Sequence, residues 1–146
     1  MPDRQTRLGA SWGRYYQADD MLELQVTDGV REFSRAQQSQ HSILSYQQLL
    51  GQGFSIRAEL YRKELVNPKA RYENVFDPYV LFPESHADRV LIAPESSRLE
   101  GVEISVQHNA SESFNWLANY AYAKAVDNID GETFDRSWAQ RHSLNI

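Results

Sequence analysis

The densest grouping of ligand-binding side-chain types in this sequence lies between residues 67 and 79. Arg71, Tyr72, Glu73, Phe76 and Asp77 bring a guanidinium, two carboxylates and two aromatic rings close together in the chain. A guanidinium binds a carboxylate through two parallel hydrogen bonds, and aromatic rings offer stacking surfaces. Such residues orient a polar or chelated small molecule at the mouth of a pocket. The sequence therefore predicts a ligand-binding loop, with the alternative that these side chains merely bind one another and fold the loop.

Other residue types with catalytic or metal-binding chemistry lack the spacing that such chemistry needs. Four histidines are scattered along the chain, and no pair has the close spacing of a protein zinc site. His142 and Ser143 are neighbours, so on a strand they face opposite sides and cannot act together as base and nucleophile. A segment beginning at Asp127 has the oxygen ligands of a calcium loop, but its twelfth position is Trp138 and not an acid. The sequence therefore predicts no enzyme, no metal site and no cofactor.

The elements that position these residues are predicted from an alternation of apolar and polar side chains. Phe54, Ile56, Ala58 and Leu60 occupy every second position of one stretch, with polar residues between them. Successive side chains of a strand point to opposite faces. One face of this strand therefore suits lipid and the other suits water.

Three charged residues on polar strand faces are predicted to line the lumen of a barrel. Arg57 and Glu59 alternate with the apolar residues of that strand, and Glu103 alternates with Val102 and Ile104 in a later one. The alternative is the solvated face of a soluble sheet. The apolar character of the opposite face through several strands favours the lumen.

Six strands are predicted, with connections of two very different lengths. The strands are Leu8–Tyr16, His41–Leu50, Phe54 to about Glu64, Gly101–His108, Phe114–Lys124 and one that begins near His142. Tight turns are expected at residues 51–53 and 109–112, whereas the connections 17–40, 65–98 and 125–140 are long. Short turns on one rim and long loops on the other are typical of a transmembrane β-barrel. The predicted fold is all-β, an antiparallel meander of about six strands within a larger barrel and without a domain boundary.

The composition alone does not indicate a membrane protein. The 146 residues are 41% hydrophobic and 24% charged, with a net charge of -5. No run of about 18 apolar residues suggests a membrane helix, but a barrel strand needs only about 9–11 residues with alternate positions apolar. The negative charge and the lack of a basic stripe disfavour nucleic-acid binding. Aromatic residues near strand ends that adjoin long loops predict an interfacial girdle, namely Tyr15, Tyr16, Tyr61, Tyr120 and Tyr122.

Four segments give the chain a resemblance to a known family. They are residues 8–17 (LGASWGRYYQ), 56–63 (IRAELYRK), 101–105 (GVEIS) and 135–145 (DRSWAQRHSLN). In this order they look like successive strands of a TonB-dependent outer-membrane receptor, and the resemblance covers nearly the whole chain. Its most specific part is the combination of the Gly-Val-Glu strand start with the Ser-Trp-x-Gln-Arg-His strand start.

The resemblance implies a fold, a location and a function. Members of the family have a barrel of about 22 strands filled by an amino-terminal plug. They import iron–siderophore complexes, cobalamin or other scarce nutrients with energy supplied through TonB. The implied location is the outer membrane of a Gram-negative bacterium. The implied partners are outer-membrane lipid, the plug and remaining barrel strands, TonB acting through that plug, and a small-molecule chelate.

Residues 1–146 contain neither a match to the plug nor a signal peptide, so part of a receptor barrel is expected. A soluble β-sandwich or a lipocalin-like ligand-binding module is the alternative that the sequence leaves open. In either of these the apolar face forms an interior core and does not face lipid. The alternation of short and long connections favours the barrel, because a soluble meander has no need of it.

Overall fold

The computed structural model describes residues 5–18, 29, 32–77, 79–111, 114–136 and 139–146, with only the backbone at 110 and 111. The regular secondary structure of the described chain consists of β-strands and one short 3-10 turn. The strands are β1 (Thr6–Gln17), β2 (Gln37–Gly51), β3 (Phe54–Val66), β4 (Arg71–Asn74), β5 (Arg89–Ile92), β6 (Ser96–Ser111), β7 (Phe114–Ile129), β8 (Glu132–Asp135) and β9 (His142–Asn145). A 3-10 turn, Pro83–Ser85, lies between β4 and β5.

Seven strands form one antiparallel sheet, and the other two form a separate hairpin. The large sheet has the order β1-β2-β3-β6-β7, and both β8 and β9 pair with β7. Strands β4 and β5 pair with each other in the connection between β3 and β6. The predicted all-β antiparallel meander is confirmed.

The large sheet has short turns at one end and long connections at the other. Residues 51–53 link β2 to β3, where Gln52 and both flanking glycines have positive φ angles. A side chain at Gly53 would also clash with the carbonyl oxygen of Asn109, so the tight turn requires glycine there. The long connections 18–36, 67–95 and 130–141 all leave from the opposite end, which we call the loop end. Of the turn predicted at 109–112, residues 109–111 belong to β6 instead, with a register shift between Asn109 and Ser111. Residue 112 and parts of all three long connections lie outside the described residues.

Cross-strand register gathers the apolar residues of neighbouring strands on one side of the sheet. Ala58 lies opposite Ile104, Ile104 opposite Tyr120, and Tyr120 opposite Leu144. Directly opposed residues share a face, so the predicted alternation of single strands becomes a continuous surface. We call it the apolar face; its main members are Leu8, Ala10, Trp12, Leu44, Tyr46, Phe54, Ile56, Ala58, Leu60, Val102, Ile104, Val106, Trp116, Ala118, Tyr120, Tyr122 and Leu144. The alternate positions form the polar face.

Aromatic residues border the apolar face at the short-turn end, and charged residues border it at the loop end. The His108 ring stacks on Phe54 with centroids 3.7 Å apart, and Trp116 lies 6.2 Å from Phe54. At the other border, Arg62 lies opposite Glu100, and Glu100 lies opposite Lys124. The apolar stretch of β3 covers six residue steps, about 20 Å at roughly 3.3 Å per step.

The strands extend farther toward the loop end than the sequence pattern predicts. Strand β6 begins at Ser96 and not at Gly101, and β7 continues to Ile129 and not only to Lys124. Backbone ladders do not need apolar side chains, and ion pairs replace them here: Glu64 pairs with both Arg62 and Arg98. Strands β4, β5 and β8 are not predicted because four residues are too few to show a period of two.

Two of the tyrosines assigned to an interfacial girdle lie on the wrong face for that role. Tyr61 is directly opposite Gly101, on the same side of the sheet as Arg57, and its hydroxyl covers the glycine. Tyr15 likewise lies on the polar face, and its ring lies over Gly13. The prediction for Tyr15 and Tyr61 is wrong because nearness to a strand end does not determine the face. Tyr16, Tyr120 and Tyr122 do belong to the apolar side.

Burial is concentrated at the loop end and not in the middle of the sheet. Ala125, Ser97, Asp127, Asn74 and Pro94 are buried, whereas most large side chains of the apolar face are exposed. The accessible surface is 10996 Å², against about 7,700 Å² for a compact monomer of this mass. The large sheet therefore leaves its apolar side uncovered by any other described part of the chain.

Candidate functional site

Arg71, at the start of β4, reaches across to the end of the large sheet. Its Nη2 donates a hydrogen bond to Oδ2 of Asp127 at 2.7 Å. Its Nε donates to Oε1 of Glu73 at 2.8 Å, and Nη2 lies 2.6 Å from the same oxygen. Arg71 therefore binds carboxylates, as its chemistry predicts, and both carboxylates belong to this chain.

Asp127 lies at the centre of a cluster that joins four parts of the chain. Its Oδ1 accepts hydrogen bonds from Ser97 Oγ at 2.5 Å and from Arg136 Nη2 and Nε at 2.8 and 3.0 Å. Its Oδ2 accepts the bond from Arg71. Asp127 is only 2% exposed. We call Arg71, Glu73, Ser97, Asp127 and Arg136 the rim cluster.

The hydrogen bonds and charges of the rim cluster compensate for the free-energy cost of burying the Asp127 carboxylate. Burial acts to raise the pKa of Asp127, but hydrogen bonds from Arg136, Ser97 and Arg71, with the charge of Arg136, outweigh it and hold this pKa below its usual value. Burial acts to lower the pKa of Arg71, and its hydrogen bonds to Asp127 and Glu73 more than reverse that effect. Two guanidiniums and two carboxylates balance in formal charge within the cluster.

The cluster lies on the polar face, and two long connections reach it. Asp127 is directly opposite Ser97, which is directly opposite Leu65, a polar-face position of β3. Arg71 comes from the connection 67–95 and Arg136 from the connection 130–141. The β4–β5 hairpin is therefore held against the polar side of the sheet through Arg71, whereas Arg136 directly follows β8, which pairs with β7 within the sheet itself.

Asn74 forms hydrogen bonds to both ends of the segment between β4 and β5 and so holds them together. Its Oδ1 accepts hydrogen bonds from the backbone N–H groups of Phe76 and Asp77 at 2.9 and 2.8 Å. Its Nδ2 donates to Oδ1 of Asp88 at 2.6 Å, at the far end of the same segment. The Asp77 carboxylate accepts the N–H of Tyr79. The turn chemistry of Asn and Asp thus fixes the shape of this segment.

Of the predicted ligand-binding residues, some interact with other side chains of this chain, and one has its side chain exposed to solvent. Tyr72 receives the Arg89 guanidinium over its ring, 5.3 Å from the centroid. Arg71, Glu73 and Asp77 are also engaged within the chain, as the alternative interpretation expects. The Phe76 ring is exposed, within an apolar tip made of large side chains that are each more than half exposed: Val75, Phe76, Tyr79, Leu81 and Phe82.

The three residues predicted to line a lumen all lie on the polar face. Arg57 Nη2 is 2.5 Å from Oε1 of Glu59. Glu59 and Glu103 are directly opposite each other on neighbouring strands. Beside them, Ser105 donates a hydrogen bond to the side-chain oxygen of Asn119 at 2.7 Å. Two carboxylates and one guanidinium leave this patch with a net negative charge.

Sequence reasoning missed Asp127, Arg136 and Ser97 as members of a site. One signal for Asp127 was present: it follows Ala121, Ala123 and Ala125 at alternate positions of β7, where a charge is out of character. Its partners come from distant segments, 30 residues away for Ser97 and 56 for Arg71. No local pattern joins residues that far apart in the sequence.

No three His, Cys, Asp or Glu side chains of the described residues are arranged to hold a metal ion. No helix in the described ranges is both long enough and apolar enough to cross a membrane. Comparison with protein families, with curated proteins and with solved structures finds no match to this chain.

Proposed function

We propose that this chain forms part of the barrel wall of a TonB-dependent outer-membrane receptor, which takes up iron–siderophore complexes or similar scarce nutrients. One observation carries the proposal: an antiparallel meander has an exposed apolar face, a polar face, and all its long connections at one end. This arrangement is the one that a barrel wall needs, because one side meets lipid and the other meets water.

The apolar face is the surface that we assign to lipid. Leu8, Leu60 and Leu144 are each more than half exposed there. Soluble monomers rarely expose contiguous apolar patches of more than a few hundred Å². Phe54, His108 and Trp116 at one border fit the interfacial region of a membrane, where aromatic rings concentrate.

The polar face is the surface that we assign to the lumen and to the plug. Like charges directly opposite each other on neighbouring strands are destabilising, and Glu59, which forms an ion pair with Arg57, lies directly opposite Glu103. A cationic side chain of the plug, placed against Glu103, would offset the remaining negative charge. The patch therefore supports contact with a basic surface inside the barrel.

The connection between β3 and β6 is the part that we assign to ligand capture. Arg71, Tyr72, Glu73 and Asp77 build and anchor it, and Phe76 with its apolar neighbours remains exposed for contact. The proposed division is therefore a polar framework that presents an apolar and aromatic tip to the ligand.

The soluble alternative needs a second layer over the apolar face. A β-sandwich buries such a face against another sheet about 10 Å away. The only second sheet among the described residues is the β4–β5 hairpin, which is anchored to the polar face through Arg71. The observed packing thus favours the receptor over the sandwich.

Uptake measurements test this function. Replacing residues 75–82 by a Gly-Ser linker, within the receptor that carries this segment, leaves Asn74 and the rim cluster intact. We expect lower affinity and slower uptake of the ferric chelate at matched outer-membrane levels. A Gly-Ser replacement confined to the exposed residues 32–36 of another connection serves as the control. Unchanged uptake and affinity after replacement of residues 75–82 would show that this loop does not take part in ligand capture.

A further inference from the structure

We propose that Asp127 couples the β4–β5 hairpin to the β8 edge of the large sheet, so that the two are held in place or released together. Each connection sends one arginine to the same buried carboxylate. This inference rests on the proposed function in one respect only, which is that the polar face is the path taken by the ligand.

The geometry makes the two arginines depend on each other. Oδ1 of Asp127 accepts three hydrogen bonds, from Ser97 and Arg136, and Oδ2 accepts one from Arg71. The side chains of Arg71 and Arg136 are 28% and 16% exposed, so each of them shields the carboxylate from water. If either arginine leaves, water reaches Asp127 and weakens the remaining ion pair.

The backbone strengthens the link for one of the connections. Arg136 N donates to the carbonyl oxygen of Ala125 at 3.0 Å, next to Asp127 on the polar face. Phe134 is directly opposite Asp127 in the β7–β8 ladder. Arg71 has no such ladder to the large sheet, since β4 pairs with β5. The β4–β5 hairpin therefore depends more heavily on its ion pair than β8 does.

Coupling predicts an asymmetric, cross-loop response to single substitutions. Arg136→Gln should increase amide hydrogen exchange both at 132–136 and in β4 and β5, although Arg136 belongs to neither β4 nor β5. Arg71→Gln should increase exchange strongly in β4 and β5 and more weakly at 132–136. We expect a rise of roughly tenfold in the more distant window, corresponding to about 1.4 kcal/mol of coupling.

The experiment is hydrogen exchange with mass spectrometry on the whole chain in detergent micelles. Asp127→Asn should reproduce the combined effect of both arginine substitutions, while Asp130→Asn is the matched control at an exposed position. Residues 102–106 and 116–122 of the sheet report whether the fold itself survives.

Faster exchange in both loop windows with an unchanged sheet supports coupling. A response confined to the substituted loop overturns it, and so does the absence of any response. Faster exchange throughout the sheet also overturns it, because the cluster would then stabilise the sheet and not the loops in particular. Membrane insertion and uptake do not enter this measurement, so its failure is distinguishable from failure of the proposed function.

Discussion

Asp127 illustrates how a single residue can hold a charge in a nearly dry position. Its carboxylate has four hydrogen bonds from three side chains, which replace the water that burial removes. Removing one partner of a buried ion pair commonly costs more than the pair contributes, because it leaves an uncompensated charge. The rim cluster is therefore sensitive to substitution at any of its members.

The lowered pKa of Asp127 predicts how the loops respond to acid. A depressed pKa gives stability that is present above the unfolded-state value of about 3.9 and lost as the pH falls through the lower folded-state value. The charged groups that face Asp127 are Arg71, Arg136 and, through Arg71, Glu73. We expect the β4–β5 hairpin to stay anchored to Asp127 at pH 5 and to be released only below about pH 4.

A nitroxide attached at Glu84→Cys, between β4 and β5, would follow that release, since the chain has no native cysteine. Its mobility should be constant from pH 7 to pH 5 and rise only in stronger acid. In the Asp127→Asn background the acid transition should disappear. A transition near pH 6 in the parent chain would contradict the assignment to Asp127.

Gly101 gives a second prediction for a single residue. A Cβ there would clash with the backbone oxygen of Tyr122 and with the ring of Tyr61. Gly101→Ala should therefore destabilise the sheet by about 1–3 kcal/mol. Gly9→Ala is the control, because its Cβ would meet only the movable hydroxyl of Ser45. Urea unfolding in micelles measures both, and equal stabilities would show that the strand shifts to make room.

At the scale of the strand, neighbouring residues lie at nearly the same depth but on opposite faces of the sheet. The effects of the same substitution on the two faces can therefore be compared directly. Ile104 and Glu103 are neighbours in β6 that lie on opposite faces. Ile104→Arg should cost roughly 2–4 kcal/mol if it places a charge in lipid. Glu103→Arg should cost little, because the new guanidinium lies opposite Glu59.

Folding stability in lipid bilayers measures the two variants of β6. This pair is a better comparison than Ile104 with Ser105, whose hydroxyl is already bonded to Asn119. Similar costs at positions 103 and 104 would contradict the assignment of faces.

The sequence predicts the strands of the large sheet well and the loop end poorly. Alternation reveals β3 and the turn at 51–53 because each depends on neighbouring residues alone. The rim cluster depends on contacts between segments that are remote in sequence, and the short β4–β5 hairpin lacks a readable period. Arg71 was predicted to bind a carboxylate of a ligand, and in the structure it binds two carboxylates of the chain itself; Asp127 could not be predicted as its partner because the two are 56 residues apart.

At the scale of the whole molecule, the uncovered apolar face predicts how the isolated chain behaves. The open sheet also leaves the long outer edge of β1 unpaired among the described strands. Exposed edges and apolar patches promote association. We expect the chain to aggregate in buffer and to become monodisperse in detergent. Light scattering and sedimentation measure this, and a detergent-free monomer with a cooperative melt would favour the soluble sandwich.

The claim that the apolar face meets lipid is tested most directly by nitroxide scanning of β3 in bilayers. Single cysteines at positions 54–62 would be labelled in the cysteine-free chain, and their accessibility to oxygen and to a water-soluble nickel complex compared. The account predicts that oxygen accessibility peaks at 56, 58 and 60, while nickel accessibility peaks at 57, 59 and 61. Nickel accessibility that is equal on both faces, or highest at 56, 58 and 60, would contradict it.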